Sequence, residues 1–494
     1  MSGHQVPPGM SRRTFLGTVA AAAALAACGS NDEDTANPPT SSGPGTTTAS
    51  GSSVPTTAGG PSAERPTETT FTEPATKLSG SLSILLWSHF VPNHDKWFDP
   101  FAKDWGSKAG VDVSVDHINN AEIPGRLAAE IAAREGHDLI QYIAPLSQFE
   151  PSVLDLTDVT KEAEKRFGKQ LEICTKTSFN PNTNVYYAYS PGWVPDPGDY
   201  RKSLWEEVGL PNGPTTWDEL LRGGTEIKKK QGVNMGIGMS PEIDSNMAAR
   251  ALIWSYGGSI QDKDENVVIN SPEVIDAVQF MTTLFKETMT DEVFAWTAAS
   301  NNQGLISGNL SYIVNSISAW RTAQEANPDV ADDVFFVPAL KGPATGLAAQ
   351  HVLYNWIVPK HAKNPDAAKE FLLHYTANMA QATYESKLYD FPAFVETVPQ
   401  LNLWLADDPF GKNNKDRLAF LKIEDALKWT TNIGHPGPAN TAVGEVMGTF
   451  VISNMMARAA RGDQTPKESV AQAEQEVKAI YDKWRKQGLV GGTR

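Results

Sequence analysis

The sequence predicts an α/β protein folded into two lobes, and three observations lead there. Between Leu82 and Pro145 strand-like apolar runs alternate with amphipathic helical ones, which is the pattern of a parallel sheet with helices on its faces. The stretch from Leu78 to the end exceeds roughly four hundred residues and the chain holds 13 tryptophans, more than one hydrophobic core accommodates. Composition also changes sharply near Cys28 and again near Lys77, so the globular part is one block behind an unlike leader.

The leader opens with SRRTFLG, Ser11 to Gly17, and an apolar run from Phe15 to Ala27 that ends at Cys28. Two arginines ahead of a run well below the roughly 20 residues a membrane span needs have the layout of an export signal. The segment resembles a twin-arginine signal: Ser11, Arg12, Arg13, Phe15 and Leu16 fill its pattern, and Gly17 replaces the usual lysine. Leu25, Ala26, Ala27 and Cys28 resemble a lipobox. Together these resemblances imply that residues 1–28 are a twin-arginine lipoprotein signal and that Cys28 is lipidated. Acyl chains on Cys28, at about 0.8 kcal/mol per buried CH₂, would hold the protein at the outer face of the cell membrane.

Residues 29–77 are dominated by Ser, Thr, Pro, Gly and Ala. With almost nothing to bury, this stretch is expected to be a disordered tether with a reach on the order of 40 Å. Losing Arg12 and Arg13 with the signal takes the formal charge from −16, less two, to −18. Such an acidic surface argues against nucleic acid as a partner and against docking on anionic lipid. Cys174 is the only other cysteine, so a chain lipidated at Cys28 has no internal disulfide.

Within the body, LSILLWSHF (Leu82 to Phe90) reads as a strand. Trp97, Phe101 and Trp105 recur at helical spacing until Gly110 stops the helix, and VDVSVDHI alternates as a second strand. EIPGRLAAEIAAREG is the next helix and HDLIQYIAP the third strand. Parallel sheets bind ligands beyond the C-terminal ends of their strands, which places Trp87, Ser88, His89, Gln141 and Tyr142 at the mouth of a site. At the far end, PKESVAQAEQEVKAIYDKW puts Val470, Ala473, Val477, Ile480 and Trp484 on one stripe of a terminal helix.

Five stretches follow one another along the globular sequence: GLPNGPTTWDEL, the GG turn in SYGGSIQDKDENVVINSPEVIDAVQFMTTLFKE, GLISGNLSYIVNSISAW, VFFVPALKGPATG and WIVPKHAKNPDAAKEFLLHY. In order and spacing they resemble the motifs of the family 1 extracellular solute-binding proteins of ABC importers. The resemblance implies a hinged, two-lobed periplasmic-binding-protein-like fold of type II. Lobe 1 would comprise residues 78–190 and 353–391, and lobe 2 residues 191–352 and 392–494. The chain would cross between them near Tyr187–Trp193, Gln350–Tyr354 and Asp390–Thr397. It also implies a monomeric receptor that captures a small solute, most readily a sugar or sugar alcohol, and hands it to permease subunits of an ABC transporter, with neither cofactor nor catalysis.

Residue-level chemistry agrees with a binding role. There is no HExxH or paired CxxC, and His89 and His94 are five apart, so no metal site is expected. GxSxG, Walker A and GxGxxG patterns are also absent, which leaves an anchored carbohydrate-active enzyme without positive support. Aromatics are the stronger signal, because the CH face of a sugar packs on an aromatic plate while its hydroxyls need polar partners. Trp87 and Trp254 lie at a strand end and beside the GG turn, and Tyr189, Trp193 and Tyr354 lie in the crossings. Trp320 occupies a position where relatives often carry a stacking tryptophan. His89, Arg321 and His351 are the expected polar partners, with Tyr142 at the mouth. GHPGPANTAVGEV (Gly434 to Val446) resembles the segment by which the family's last part approaches the cleft. It lacks the aromatic of a maltodextrin platform. A polyamine would instead use clustered acids, for which Asp244 and Asp390 are the candidates.

Overall fold

The computed structural model describes residues 63–413 and 415–493. The twin-arginine motif, the lipobox and Cys28 lie outside the described residues. Ser81–Trp87, Asp112–Ile118 and Leu139–Tyr142 form a parallel sheet with the first of them in the middle, in register from Ser81 opposite Asp112 to Trp87 opposite Ile118. Asn355–Ile357 adds an antiparallel edge beside Leu139–Tyr142. Leu82, Ile84, Leu85, Leu86 and Trp87 are all buried, as strands covered on both faces should be.

The helix Asn93–Ala109 buries Phe98, Phe101, Ala102 and Trp105, and Trp97 is only half-buried. It ends where Gly110 turns to φ 78°, a left-handed cap that side chains other than glycine adopt at a cost. Helix Ile123–Ala133 returns the chain to the third strand, completing the expected alternation.

The second sheet runs in the order Val334–Val337, Gly198–Arg201, Leu310–Val314, Asn234–Gly236. Helices Trp217–Gln231 and Pro272–Thr288 pack against it, and Val451–Arg461 and Pro466–Arg485 pack on Pro272–Thr288 and on each other. The last begins in a capping box between Thr465 and Glu468 and buries Val470, Ala473, Val477, Tyr481 and Trp484, while Ile480 stays half-buried. Three extended segments join the sheets side by side. Tyr189 and Trp356 exchange backbone hydrogen bonds of 2.8 and 2.9 Å, and Val194 pairs with Val352. Gly192–Trp193 pairs with Phe391–Pro392.

One expectation is corrected. Residues 63–77, assigned to the tether by composition, lie against helices Pro365–Ala377 and Met379–Glu385. Thr70 exchanges hydrogen bonds with Asn378 at 2.8 and 2.9 Å, Arg65 pairs with Glu385 at 2.7 Å, and the Trp404 indole donates to the Ala63 carbonyl at 2.8 Å. Phe71 packs against His374. The segment has no hydrophobic periodicity, so its backbone groups are satisfied by side chains of the body rather than by a ladder.

Candidate functional site

A cavity of about 530 Å³ opens where the strand ends of the first sheet face the second lobe. On the first side stand Tyr142, the last residue of its strand, and Phe90, Asn119, Asn120 and Gln148 in the segments that follow the strands. The opposite wall is Glu242 and Ile243 at the start of helix Ile243–Ser255, the loop Trp296–Ala299, and Met447 to Phe450 at the end of helix Thr441–Gly448. This is the position a parallel sheet offers a ligand, since the loops beyond its strands leave a crevice there.

Local structure fixes the wall residues. Trp296 is half-buried over the backbone of Gly236, where a Cβ would come within 2.3 Å of its ring, and the Ser240 hydroxyl donates to its carbonyl at 2.7 Å. Gly444 allows a close approach of the two lobes: a Cβ there would sit 2.3 Å from Ser147 Oγ and 2.6 Å from Gln148 Oε1. Beside it the Ser147 hydroxyl donates to the Asn440 carbonyl at 2.8 Å. Gln148 Oε1 is buried and has no protein hydrogen-bond partner.

Among the described residues Glu242 is the only acid lining the cavity, and no Lys, Arg or His lines it. Its carboxylate caps the helix, accepting from the Asp244 and Ser245 backbone at 2.7 and 2.5 Å. Burial, and then the neighbouring Asp244, raise its pKa above the ordinary carboxylate range. Behind it Asp244 accepts from Asn301 at 2.8 Å through one oxygen, and the other has no hydrogen-bond partner. Burial likewise raises the Tyr142 hydroxyl to about 12, so it stays a neutral donor.

Of the ligand-binding candidates named from sequence, Tyr142 lines this cavity and the others do not, and the expected Gly434 to Val446 segment reaches it through Gly444. Trp87 stands one layer back, its ring 4.9 Å from Phe90, which makes the contact surface instead. His89 and Tyr354 are buried on Asp390. Tyr189 bonds Thr376 at 2.6 Å, and Trp193 packs edge-on to Phe391 within the crossings. His351 is buried with its Nδ1 3.0 Å from Asp196, and these acids lift its pKa although burial opposes them. Trp254 borders a separate recess of about 470 Å³ with Gly257, Ser259 and His435.

Trp320 and Arg321 lie away from this cavity. The Trp320 indole donates to the Ala331 carbonyl at 3.1 Å, meets Phe336 edge-on, and lies under the Arg321 and Arg417 guanidinium groups. Arg321 grips both oxygens of Asp408, at 2.7 and 3.1 Å, and donates to the Lys387 carbonyl at 2.8 Å. Both are interior, and Arg321 also ties the Lys387 turn to this region. Sequence reasoning missed Phe90, Asn119, Asn120, Gln148, Glu242, Trp296 and Phe450 as wall residues. The available signals were the polar pair directly after the second strand and a tryptophan in the irregular DEVFAWTAAS stretch.

A family model of bacterial extracellular solute-binding proteins matches residues 92–382, more than half of the chain. The chain belongs to that family. This solute-binding protein is 24% identical over 198 residues to a Deinococcus radiodurans protein named as an ABC transporter-binding protein, covering 38% of this chain and 47% of that one. The matched stretches span less than half the length of the curated relatives. Among solved structures, maltose-bound T. maritima MalE3 has a TM-score of 0.67 and 20% identity, covering 81% of this chain and 100% of that one. An ABC transporter solute-binding protein from Agrobacterium radiobacter K84 in complex with ribitol has a TM-score of 0.65 and 17% identity, covering 81% and 98%. These likenesses establish the two-lobed periplasmic-binding-protein fold. Proteins of this family are extracellular solute-binding proteins. Among the described residues no helix is long and apolar enough to cross a membrane.

Proposed function

We propose that this solute-binding protein captures a neutral sugar or sugar alcohol in the 530 Å³ cavity and delivers it to an ABC importer. The observation that carries this reading is the lining itself. Phe90, Tyr142, Trp296 and Phe450 offer aromatic faces, Asn119, Asn120 and Gln148 offer amides, and no lysine or arginine is there to hold an anion. Aromatic plates take the CH faces of a ring and amides its hydroxyls, whereas a phosphate or carboxylate ligand would ask for convergent cations. The maltose and ribitol bound by structural neighbours fit that chemistry. Hinge closure about the three crossing segments would then present a distinct surface to the permease.

Thermal melting of the full chain against maltose, laminaribiose, ribitol and spermidine tests the reading. A rise in melting temperature with a sugar or polyol and no turnover is expected. Release of product from a glycoside would support an enzyme instead. A rise with spermidine alone would favour the second reading, an amine-bearing solute, which the acid pair Glu242 and Asp244, with an Asp244 oxygen that accepts no hydrogen bond, makes worth testing.

Attachment is part of the proposal: the protein leaves the cytoplasm by the twin-arginine route and is anchored through Cys28. Replacing Arg12 and Arg13 with lysine should trap precursor in the cytoplasm, and Cys28→Ala should abolish lipid labelling. Normal envelope levels of the double lysine variant would contradict the route.

A further inference from the structure

Away from the cavity, three residues that no part of the solute reading uses meet in the interior. His89 lies two positions beyond the first strand, His94 in the first turn of helix Asn93–Ala109, and Asp390 comes 301 residues after His89, just before the crossing strand Phe391–Pro392. All three are buried, and Asp390 is 0% exposed. His89 Nε2 stands 3.2 Å from Asp390 Oδ1 and His94 Nε2 stands 3.7 Å from Asp390 Oδ2. The imidazoles stack at 4.4 Å, so their Nε2 edges emerge side by side toward one carboxylate. One donor atom from each lies within 4.8 Å of the other two.

We propose that His89, His94 and Asp390 form a binding site for a divalent transition-metal ion of the zinc type. Zinc bonds to imidazole nitrogen and carboxylate oxygen are about 2.0–2.2 Å long, which sets tetrahedral ligand pairs roughly 3.3 Å apart. The His89–Asp390 separation already matches, and the His94–Asp390 pair needs to close by a few tenths of an ångström. Two imidazoles and one carboxylate suit zinc, cobalt or nickel better than magnesium or calcium, which prefer oxygen alone.

His89 Nδ1 accepts from the Val91 backbone N–H at 2.9 Å and lies 3.1 Å from the Val91 carbonyl, and His94 Nδ1 lies 3.5 Å from Asp95 Oδ1 without a hydrogen bond. The far nitrogens are therefore held in place while both Nε2 atoms face Asp390. Charge supports the site. Asp390 is paired with histidines and with the Tyr354 hydroxyl, while no lysine or arginine pairs with it among the described residues, and its Oδ2 lacks a hydrogen-bond partner. A cation would balance that buried carboxylate. The Tyr354 hydroxyl, 3.2 Å from His89 Nε2, or a water is the available fourth ligand. The ion would fasten the third crossing segment to the end of the first strand, and it requires nothing of the solute cavity.

The test is zinc titration of the full chain, stripped with EDTA, against a chromophoric chelator, with zinc K-edge absorption on the loaded wild type. One equivalent per chain should be retained, with a first shell of two imidazoles and oxygen. Substituting a ligand should cost at least what losing an outer contact costs, so His94→Ala and Asp390→Asn should each weaken zinc binding by about 100-fold or more. His435→Ala, in the other lobe, should leave it unchanged. Absence of a retained equivalent in the wild type, sulfur in its first shell, or unaltered affinity in both ligand variants would overturn the proposal. The absorption spectrum of the wild type decides the matter even where a variant fails to fold.

Discussion

Two tryptophans of the second lobe have opposite surroundings. Trp320 is buried to 1% exposure, with its indole N–H satisfied and two guanidinium groups against its face. Trp296 is half-buried, rests on glycine backbone and turns toward a cavity lined by amides and other rings. The first occupies the motif position that suggests a ligand plate, and the second sits in a loop with no motif at all. The contrast teaches that in this chain a ring serves the ligand according to where strand ends leave space, and that a motif tryptophan with a complete set of neighbours is structural.

That contrast can be sharpened, beginning with the largest effect. Arg321→Ala removes one partner of a buried, two-pronged ion pair and leaves Asp408 uncompensated, so denaturant unfolding should show a loss of about 3–5 kcal/mol. Trp320→Ala should cost a similar amount, about 3–5 kcal/mol, by opening a large cavity. In both, the solute affinity of the folded fraction should match the wild type; a specific loss of affinity would place Trp320 back at the site. Gly444→Val acts through the cleft instead, because its side chain would meet Ser147 and Gln148 and hold the lobes apart. Solute binding measured by calorimetry should weaken by about 1–3 kcal/mol, the usual cost of overpacking, with the melting temperature of the free protein little changed. The smallest effect belongs to the strap over the first lobe. Arg65 is 61% exposed in its pair with Glu385, so Arg65→Ala should alter unfolding free energy by less than about 1 kcal/mol.

Much of the fold is legible in the sequence because its signals are local. The alternation from Leu82 to Tyr142 and the stripe along Pro466–Arg485 are written in the period of the apolar residues, and both elements form there. The site is less legible, since a cavity is made by residues far apart in the chain. Tyr142 was identifiable because it ends a strand, and Asn119 and Asn120 follow from the same rule applied to the second strand. Nothing local distinguishes Trp296 from Trp254, or shows that Asp408 and Lys387 would occupy Arg321. The strap at residues 63–77 escaped for a related reason: its partners Glu370, His374 and Asn378 lie some three hundred residues away.

The central claim is that the cavity faced by Trp296 takes a neutral sugar or polyol. It is tested most directly by calorimetric titration of Trp296→Ala beside the wild type, using the sugar or polyol that raises the melting temperature. Losing an aromatic plate from a ligand pocket should weaken binding by about 1–3 kcal/mol, roughly 5- to 150-fold, while the free protein melts as before. Wild-type affinity in Trp296→Ala would contradict the account and move the solute to another part of the molecule.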